Sequence, residues 1–536
     1  MAKSSMTLPR SRFCDVLVLG SGIAGLTAAL KAGEMGASVI LACRGSLFSG
    51  SSFYPGTWGL GLIGPENPGD QEDLIRTILQ VGCGMAREEL VRGLVEGITP
   101  AVRAMEDMGV QLRKAQAGAD QKEYIPCFDH KHRAWNGLEF DSCRRVFREK
   151  LRAYGVTLLP GWEALELVKA RGAVCGAVLS DGVSLQYIGS KALVLATGGY
   201  GSLFTHHLCT TDVEGLGQAL ALDAGCSLLN LEFMQIMPGY LSPAYGTIYN
   251  EKVFRYSHLE SQGQEILPPE AREDLLSQRS GHGPFTSRLP DRAVDLAIHS
   301  TGKGVTVRYS PSLRQDPPEF VKTYFDWLRR AKGLSMEDPI TMDLFSHAAN
   351  GGVAIRTDGS TQVPGLFAAG EVTGGMHGAD RIGGLSTANG LVYGGKAGAA
   401  AARRAETDCT APEALEFSLL AASDWAQRFR SLQQIMTAQA LVCRSEEGLT
   451  QALSQVRSLA AGMDLSPSRD VAQVTGTRRL QGQLKTAQAI LLAQLLRRES
   501  RGSHYREDFP REDPALARRI LVSQQDGSLQ ARFETE

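Results

Sequence analysis

Several features that would assign this chain quickly are missing from it. Its ten cysteines include no CxxC pair and no regular short spacing, which argues against an iron–sulfur cluster, a thiol redox motif or a secreted disulfide framework. Most of them are expected to be small buried side chains, and no metal site is read from them. An excess of one charge is missing too: 56 Lys and Arg stand against 58 Asp and Glu, a net charge of −2. Without a basic surplus to hold a phosphate backbone, nucleic acid is a poor partner. No apolar run is long enough to cross a bilayer, and the opening MAKSSMTLPRSRFCDVLVLG enters a strand-like segment with no leader in front of it. These absences predict a soluble cytoplasmic protein with no direct membrane span.

What the chain does have is length and apolar content. Its 536 residues, 43% hydrophobic, suffice for a large core and two or three domains. The run DVLVLG–SGIAGL–helix–ASVILAC between Cys14 and Ser46 opens an α/β sheet. Four short apolar segments, VTLLPG, LELVKA, AVCGAVLS and SLQYIG, predict a small inserted antiparallel sheet before KALVLATGG returns to the parallel core. The stretch 237–350 is less periodic and is expected to be a domain inserted between two parts of the α/β domain, at 1–236 and 351–410. TANGLVYGGKAGAAAARRA supplies a small-residue helix suited to close packing, and 411–536 is strongly helical with a tail.

GSGIAG places Gly20, Gly22 and Gly25 between a strand and a helix at the spacing of a dinucleotide-binding turn. The first glycine allows the tight turn, the second lets backbone approach a pyrophosphate, and the third lets helix and strand pack closely. The acidic ribose clamp expected at the end of the second strand is absent, since Ala42-Cys43-Arg44 stands there. Arg44 reads equally well as an adenosine or phosphate contact and as a solvated arginine. Two further strand ends, ATGG at Ala196–Gly199 and AAGE at Ala368–Glu371, would converge on the same crevice. Glu371 is either a ligand for a cofactor hydroxyl or an ordinary strand-end acid.

The ordered set GSGIAG, ATGG, VPGLFAAGEVTGG, HGADRIGG and ESRGSHYREDFP resembles the flavoprotein subunit family of fumarate reductase, succinate dehydrogenase and L-aspartate oxidase, across nearly the whole chain. The resemblance implies an α/β Rossmann-like FAD-binding domain, an inserted α+β capping domain and a C-terminal helical domain. It implies FAD contacts at Gly20, Gly22, Ile23, Ala24 and Gly25, at Cys43 and Arg44, and at Ser51, Ser52 and Gly59. Further contacts are implied at Ala164, at Ala196, Thr197 and Gly198, at Glu214, at Gly370 and Glu371, and at Arg381, Ser386 and Thr387. Membrane respiratory members carry a covalent flavin on a histidine near the position of Ser51. Neither Ser51 nor Ser52 has an imidazole, so the FAD here is expected to be non-covalent.

By the same resemblance, Arg381 of HGADR binds a substrate carboxylate, His377 shapes the flavin-side loop, and Gly383 and Gly384 allow close approach. His347 of HAANGGV matches a histidine that contacts the substrate carboxylate, although alone it reads as structural. In LEFMQIMPGY, Glu232 and Gln235 are kept, but Met237 stands where a carboxylate-contacting histidine is expected. A thioether cannot donate to a carboxylate oxygen, which favours a less polar or differently shaped substrate. The family's proton-transfer arginine precedes an aspartate, whereas here the order is Asp291-Arg292. Arg292 and Arg288 are therefore both candidates for proton transfer and both candidates for ordinary salt bridges. Glu251 is a weaker candidate for a proton relay. Arg501, His504 and Arg506 read as a polar cluster folding back on the FAD and capping segments.

The resulting expectation is an FAD-dependent oxidoreductase that moves a hydride between flavin and a carboxylate-bearing small molecule. The alternatives are L-aspartate oxidase and a noncatalytic flavin-binding protein that only transfers electrons. A separate redox partner or a quinone would exchange electrons with the flavin.

Overall fold

The strand Ser5–Leu19 organises the molecule. Its second half, CDVLVL, is buried on both faces, as a near-continuous apolar run requires when helices cover a parallel sheet. In the computed structural model, which describes residues 4–57, 60–114, 126–315, 317–407 and 411–535, this half pairs in parallel with Val39–Cys43 on one side and Leu185–Leu195 on the other. Thr157–Pro160 extends the sheet beyond Val39–Cys43, and Leu366–Ala368 joins the far side of Leu185–Leu195, both in parallel. Leu19 faces Ala42 and Leu195, and Leu195 faces Ala368. The carboxyl ends of four strands from distant parts of the chain therefore lie at one edge.

The expected inserted sheet differs in two respects. VTLLPG provides a parallel strand of the main sheet, because Thr157–Pro160 lies beside Val39–Cys43. SLQYIG and KALVL form one eleven-residue strand, Leu185–Leu195. Its first half pairs antiparallel with Ala173–Ser180, which in turn pairs with Glu163–Ala170. The meander is thus continuous with the core sheet. Short apolar runs look alike whichever direction their partner takes, so the pattern does not separate them.

Helix Ile23–Glu34 packs on helix Leu385–Arg404 at backbone distance. A Cβ on Gly390 would come within 2.5 Å of Ile23 Cγ2, and one on Gly394 or Gly398 within 2.6 or 2.3 Å of the Ala24 or Ala28 carbonyl oxygen. Glycine every fourth residue thus forms the groove that lets two helix N-termini reach the same edge of the sheet.

A second, antiparallel sheet caps that edge. Its order is Met234–Ser242, Ile340–Ala349, Val305–Tyr309, Ser257–Ser261, Gln264–Glu265. The first and last of these strands in the chain are neighbours, so the insertion leaves and re-enters the core at one place. Helices Trp425–Ala440, Glu446–Ala461 and Val471–Leu496 form the C-terminal region. The chain then closes as a hairpin, Ile520–Gln525 with Ser528–Phe533, against Leu228–Leu229. Among the described residues no helix is long and apolar enough to cross a membrane.

Candidate active site

A cavity of about 410 Å³ lies where the four strand ends, the two helix N-termini and the capping sheet meet. Its floor is the glycine turn. Gly20 has φ +112°, and a Cβ there would stand 2.1 Å from the Ala196 carbonyl oxygen. A Cβ on Gly25 would stand 2.0 Å from the Gly20 carbonyl oxygen, so this glycine packs beneath the turn and does not line the cavity. Gly22 opens to the cavity, with nothing nearer to a Cβ than Ser52 Oγ at 3.5 Å. The helix starting at Ile23 has no side-chain cap and no acid in its first turn. Apart from the Ile23 amide, which Ser52 takes up, it therefore presents a positive end of the kind that binds phosphate.

At one end the lining consists of Cys43, Arg44, Trp162, Glu163 and Ala164. Arg44 is not a free surface arginine: though partly exposed, it is ion-paired with Glu214 and lies 3.9 Å from Glu163. Glu163 also holds Arg479 at 2.5 and 3.0 Å. Two cations and two carboxylates balance here. Glu214 is reached through Arg44 and does not itself line the cavity. Burial pushes its carboxyl up in spite of Arg44 and Arg479.

Ser51, Ser52, Thr197, Gly198, Gly370 and Glu371 line the middle. Glu371 accepts from the Ala349 amide at 2.9 Å and from the Ser51 hydroxyl at 3.1 Å. Burial raises its pKa. Ser52 Oγ accepts from the Ile23 amide at 3.2 Å. The buried Thr197 Oγ1 has no protein partner.

Arg381 and His347 lie at the opposite end, with Met237, Cys127, Ile248 and Pro284. Arg381 is 8% exposed. Its Nε donates to Gln235 Oε1 at 2.9 Å, and Nη1 reaches only the Ile382 carbonyl at 3.5 Å. Among the described residues no carboxylate lies within ion-pair distance of it. Burial lowers its pKa. His347 is the extra residue of a bulge: Gln235 pairs with Ala348 and Ile236 with Ser346. Such a bulge re-aims a side chain, here into the cavity. Its Nδ1 has no protein partner, and burial, reinforced by Arg381, pushes its pKa down to about 3. The ring is neutral at any ordinary pH.

The loop HGADRIGGLS turns sharply at Gly378 (φ +76°) and Gly384 (φ +85°). A Cβ at Gly378 would lie 2.5 Å from the Gly82 carbonyl oxygen. Gly383, Gly384, Ser386 and Thr387 line the cavity, whereas His377 is buried behind it. The loop is braced from outside, since the Ala379 carbonyl accepts from the Ser503 hydroxyl at 3.0 Å. The Gly502 carbonyl also accepts from the Ser287 amide of the cap at 2.7 Å. In the same segment Arg501 grips Glu499 and His504 accepts from Arg444 in the interior, while the buried Arg506 reaches out to the exposed Asp508.

Arg288 and Arg292 do not line the cavity. Asp380, fully buried, holds Arg288 Nε and Nη2 at 3.0 Å each, and the Arg292 guanidinium donates to the Ser287 carbonyl at 2.7 Å. Asp291 faces inward, 2.6 Å from His282 Nε2. The reversed Asp-Arg order therefore leaves the acid inside and the base outside. Glu251 stands behind the lining and accepts from the Cys127 thiol at 3.6 Å. Gly59 lies outside the described residues.

The cavity fits FAD on two counts: a glycine turn whose Gly22 faces the cavity with no side chain in the way, and buried polar atoms of Thr197 and His347 that lack protein partners. Comparison with known proteins agrees. The FAD binding domain model matches residues 15–251 and 335–387, over half of the chain, and the fumarate reductase flavoprotein C-terminal model matches 429–536. The chain belongs to the fumarate reductase, succinate dehydrogenase and L-aspartate oxidase flavoprotein family. An L-aspartate oxidase of Halobacterium salinarum is 31% identical to this flavoprotein over 92% of its chain and 96% of the relative. A fumarate reductase (CoM/CoB) polypeptide from Methanothermobacter marburgensis is 27% identical over 95% and 97%. Among solved structures, E. coli quinol fumarate reductase shares the fold with a TM-score of 0.78 at 19% identity, covering 98% of this chain and 97% of that one. The flavoprotein is thus an FAD-dependent oxidoreductase acting on a carboxylate-bearing substrate.

Two features of the flavoprotein's site carry little signal in the sequence. Cys127 is an isolated cysteine in a segment with no motif around it. The role of Asp380 as the partner of Arg288 had one available signal, an acid beside an arginine in a glycine loop, which when buried must find a cation.

Proposed function

We propose that the flavoprotein transfers a hydride between FAD and a carbon of a small acid whose carboxylate is held by Arg381. FAD, when bound, gives or takes that hydride. The observation supporting this reading is the buried, unpaired guanidinium facing the cavity. A buried charge without a partner costs several kcal/mol, and a substrate carboxylate would supply the missing counterion with bidentate geometry. Gln235 orients the fork through Nε. Neutral His347 offers hydrogen bonding without charge.

The accompanying proton has a candidate carrier in Cys127. Its thiol lines the cavity, is pushed up to about 12 by burial, and donates to Glu251. In reduction, Sγ–H would give its proton to the carbon next to the one receiving the hydride, and the thiolate would take a replacement from solvent, relayed by the Glu251 carboxylate that faces it; oxidation runs in reverse. The family's arginine has a partner elsewhere here, which supports this substitution. The FAD is held non-covalently on this reading, because neither Ser51 nor Ser52 offers the imidazole that carries the covalent flavin in membrane respiratory members. A separate redox protein or a quinone exchanges electrons with it.

The test is anaerobic. The purified yellow protein is reduced, mixed with a panel of enoates, imino acids and quinones, and followed by flavin absorbance. At least one acid should reoxidise the flavin, and Arg381→Ala should lower that kcat/KM by about 10²–10³, as expected for breaking a buried charge pair. Reoxidation by quinones alone refutes the reading. The 31% identical L-aspartate oxidase favours aspartate as a second reading, and bleaching of the oxidised flavin by aspartate would establish it.

A further inference from the structure

We infer that the substrate is a monocarboxylate whose end remote from the carboxylate is apolar, a hydrocarbon or aryl group, and that dicarboxylates are discriminated against. This rests on Arg381 being the carboxylate anchor, as proposed above. The distribution of charge around the cavity leads to it. Among the described residues lining the cavity, the only arginines are Arg381 and Arg44. Arg44 belongs to the opposite end and is neutralised by Glu214 and Glu163. Arg288 is taken by Asp380, Arg292 by the Ser287 carbonyl, and His347 carries no charge. One carboxylate can be neutralised at this end, and a second cannot.

The wall that would face the second group has the opposite character. Met237 stands two residues after Gln235 on the strand Met234–Ser242, hence about 7 Å along from the residue that orients Arg381. It packs with Leu208 and Phe345, with Ile248 and Tyr54 beside it. Gly283 abuts it so closely that a Cβ there would lie 3.2 Å from both the Met237 sulfur and Cys127 Sγ. A second carboxylate would meet sulfur and methyl groups at this wall, with no cation to answer it.

Two trans acids isolate the difference, because crotonate and fumarate share one carboxylate and one double bond and differ only in methyl against carboxylate. Cinnamate extends the apolar end. Dissociation constants are read from perturbation of the oxidised flavin spectrum of the holoprotein, and kcat/KM from reoxidation of the reduced protein. Crotonate or cinnamate should bind and react at least about 100-fold better than fumarate. Met237→His should narrow that ratio at least tenfold, with Met237→Gln as the second variant should the first not fold. Equal or better binding of fumarate by the unaltered protein overturns the inference and leaves the anchor standing. If no acid perturbs or reoxidises the flavin, or if Arg381→Ala changes neither constant, the anchor itself falls and the inference with it.

Discussion

The two ends of the cavity solve the same electrostatic problem in opposite ways. At the nucleotide end Arg44 and Arg479 meet Glu163 and Glu214, and each charge is answered within the protein. At the other end Arg381 is more deeply buried and has only an amide and a backbone carbonyl. The first arrangement is complete without a ligand; the second is not. A pocket wall that balances itself holds a resident group by shape and backbone, whereas an unanswered charge marks the place where a transient anion enters.

The largest effect should come from the shape-determined end. Gly20→Ala places a methyl 2.1 Å from the Ala196 carbonyl oxygen at a φ of +112°, which L-residues avoid. The protein should be isolated colourless, with FAD content below about a tenth of the unaltered protein by absorbance. A fully yellow variant would mean that the cofactor does not depend on this turn.

Next comes a matched pair that tests the contrast directly. Arg44→Met leaves Glu214 and Glu163 buried without that cation, and should destabilise the fold by about 2–3 kcal/mol, less than a fully buried pair because Arg44 is partly exposed. Arg381→Met removes a charge that no ion pair answers and that feels only a longer-range pull from Glu371, so the fold should be unchanged or stabilised by about 1 kcal/mol while turnover is lost. Melting of the two variants in parallel decides the matter: similar losses for both would show that Arg381 has an answering charge after all.

The same contrast explains how much of the molecule is legible in the chain. The nucleotide end is legible because its requirements are local. GSGIAG, ATGG and AAGE each sit at the end of an apolar strand, and their spacing states the chemistry. The anchors Arg381 and His347 are legible only within an ordered set of motifs. Pairings between distant residues are not legible at all. Arg44 finds Glu214 170 residues later, and Arg288 finds Asp380 92 residues later. In each case residue type leaves a salt bridge and a site role equally open. The bulge that turns His347 inward depends on register between two strands more than 100 residues apart. The parallel direction of Thr157–Pro160 is hidden for a related reason, since its neighbour lies far away in sequence.

The smallest effect sharpens the electrostatics around Arg381. His347 and His377 are both pushed from 6.5 down to about 3, by burial first and by Arg381 second. The folded protein therefore keeps both rings neutral, while the unfolded chain takes up protons below about pH 6.5. Stability must fall as pH drops from about 6.5 towards 3, by up to about 1.4 kcal/mol per pH unit for each ring. The buried carboxyls Glu371 and Asp380, raised by burial, act in the other direction. Their contribution is present below their ordinary values of 4.5 and 3.8 and is lost as pH rises through the raised ones, so they offset part of the histidine slope. His377→Gln, behind the cavity wall, isolates one ring: melting temperature against pH between 6.5 and 4 should flatten relative to the unaltered protein. In Arg381→Met the slope should flatten less, because the neighbouring charge is gone while burial remains. An unchanged slope in His377→Gln would mean that this ring is protonated in the folded state, and that the Arg381 end already holds an acid to balance it.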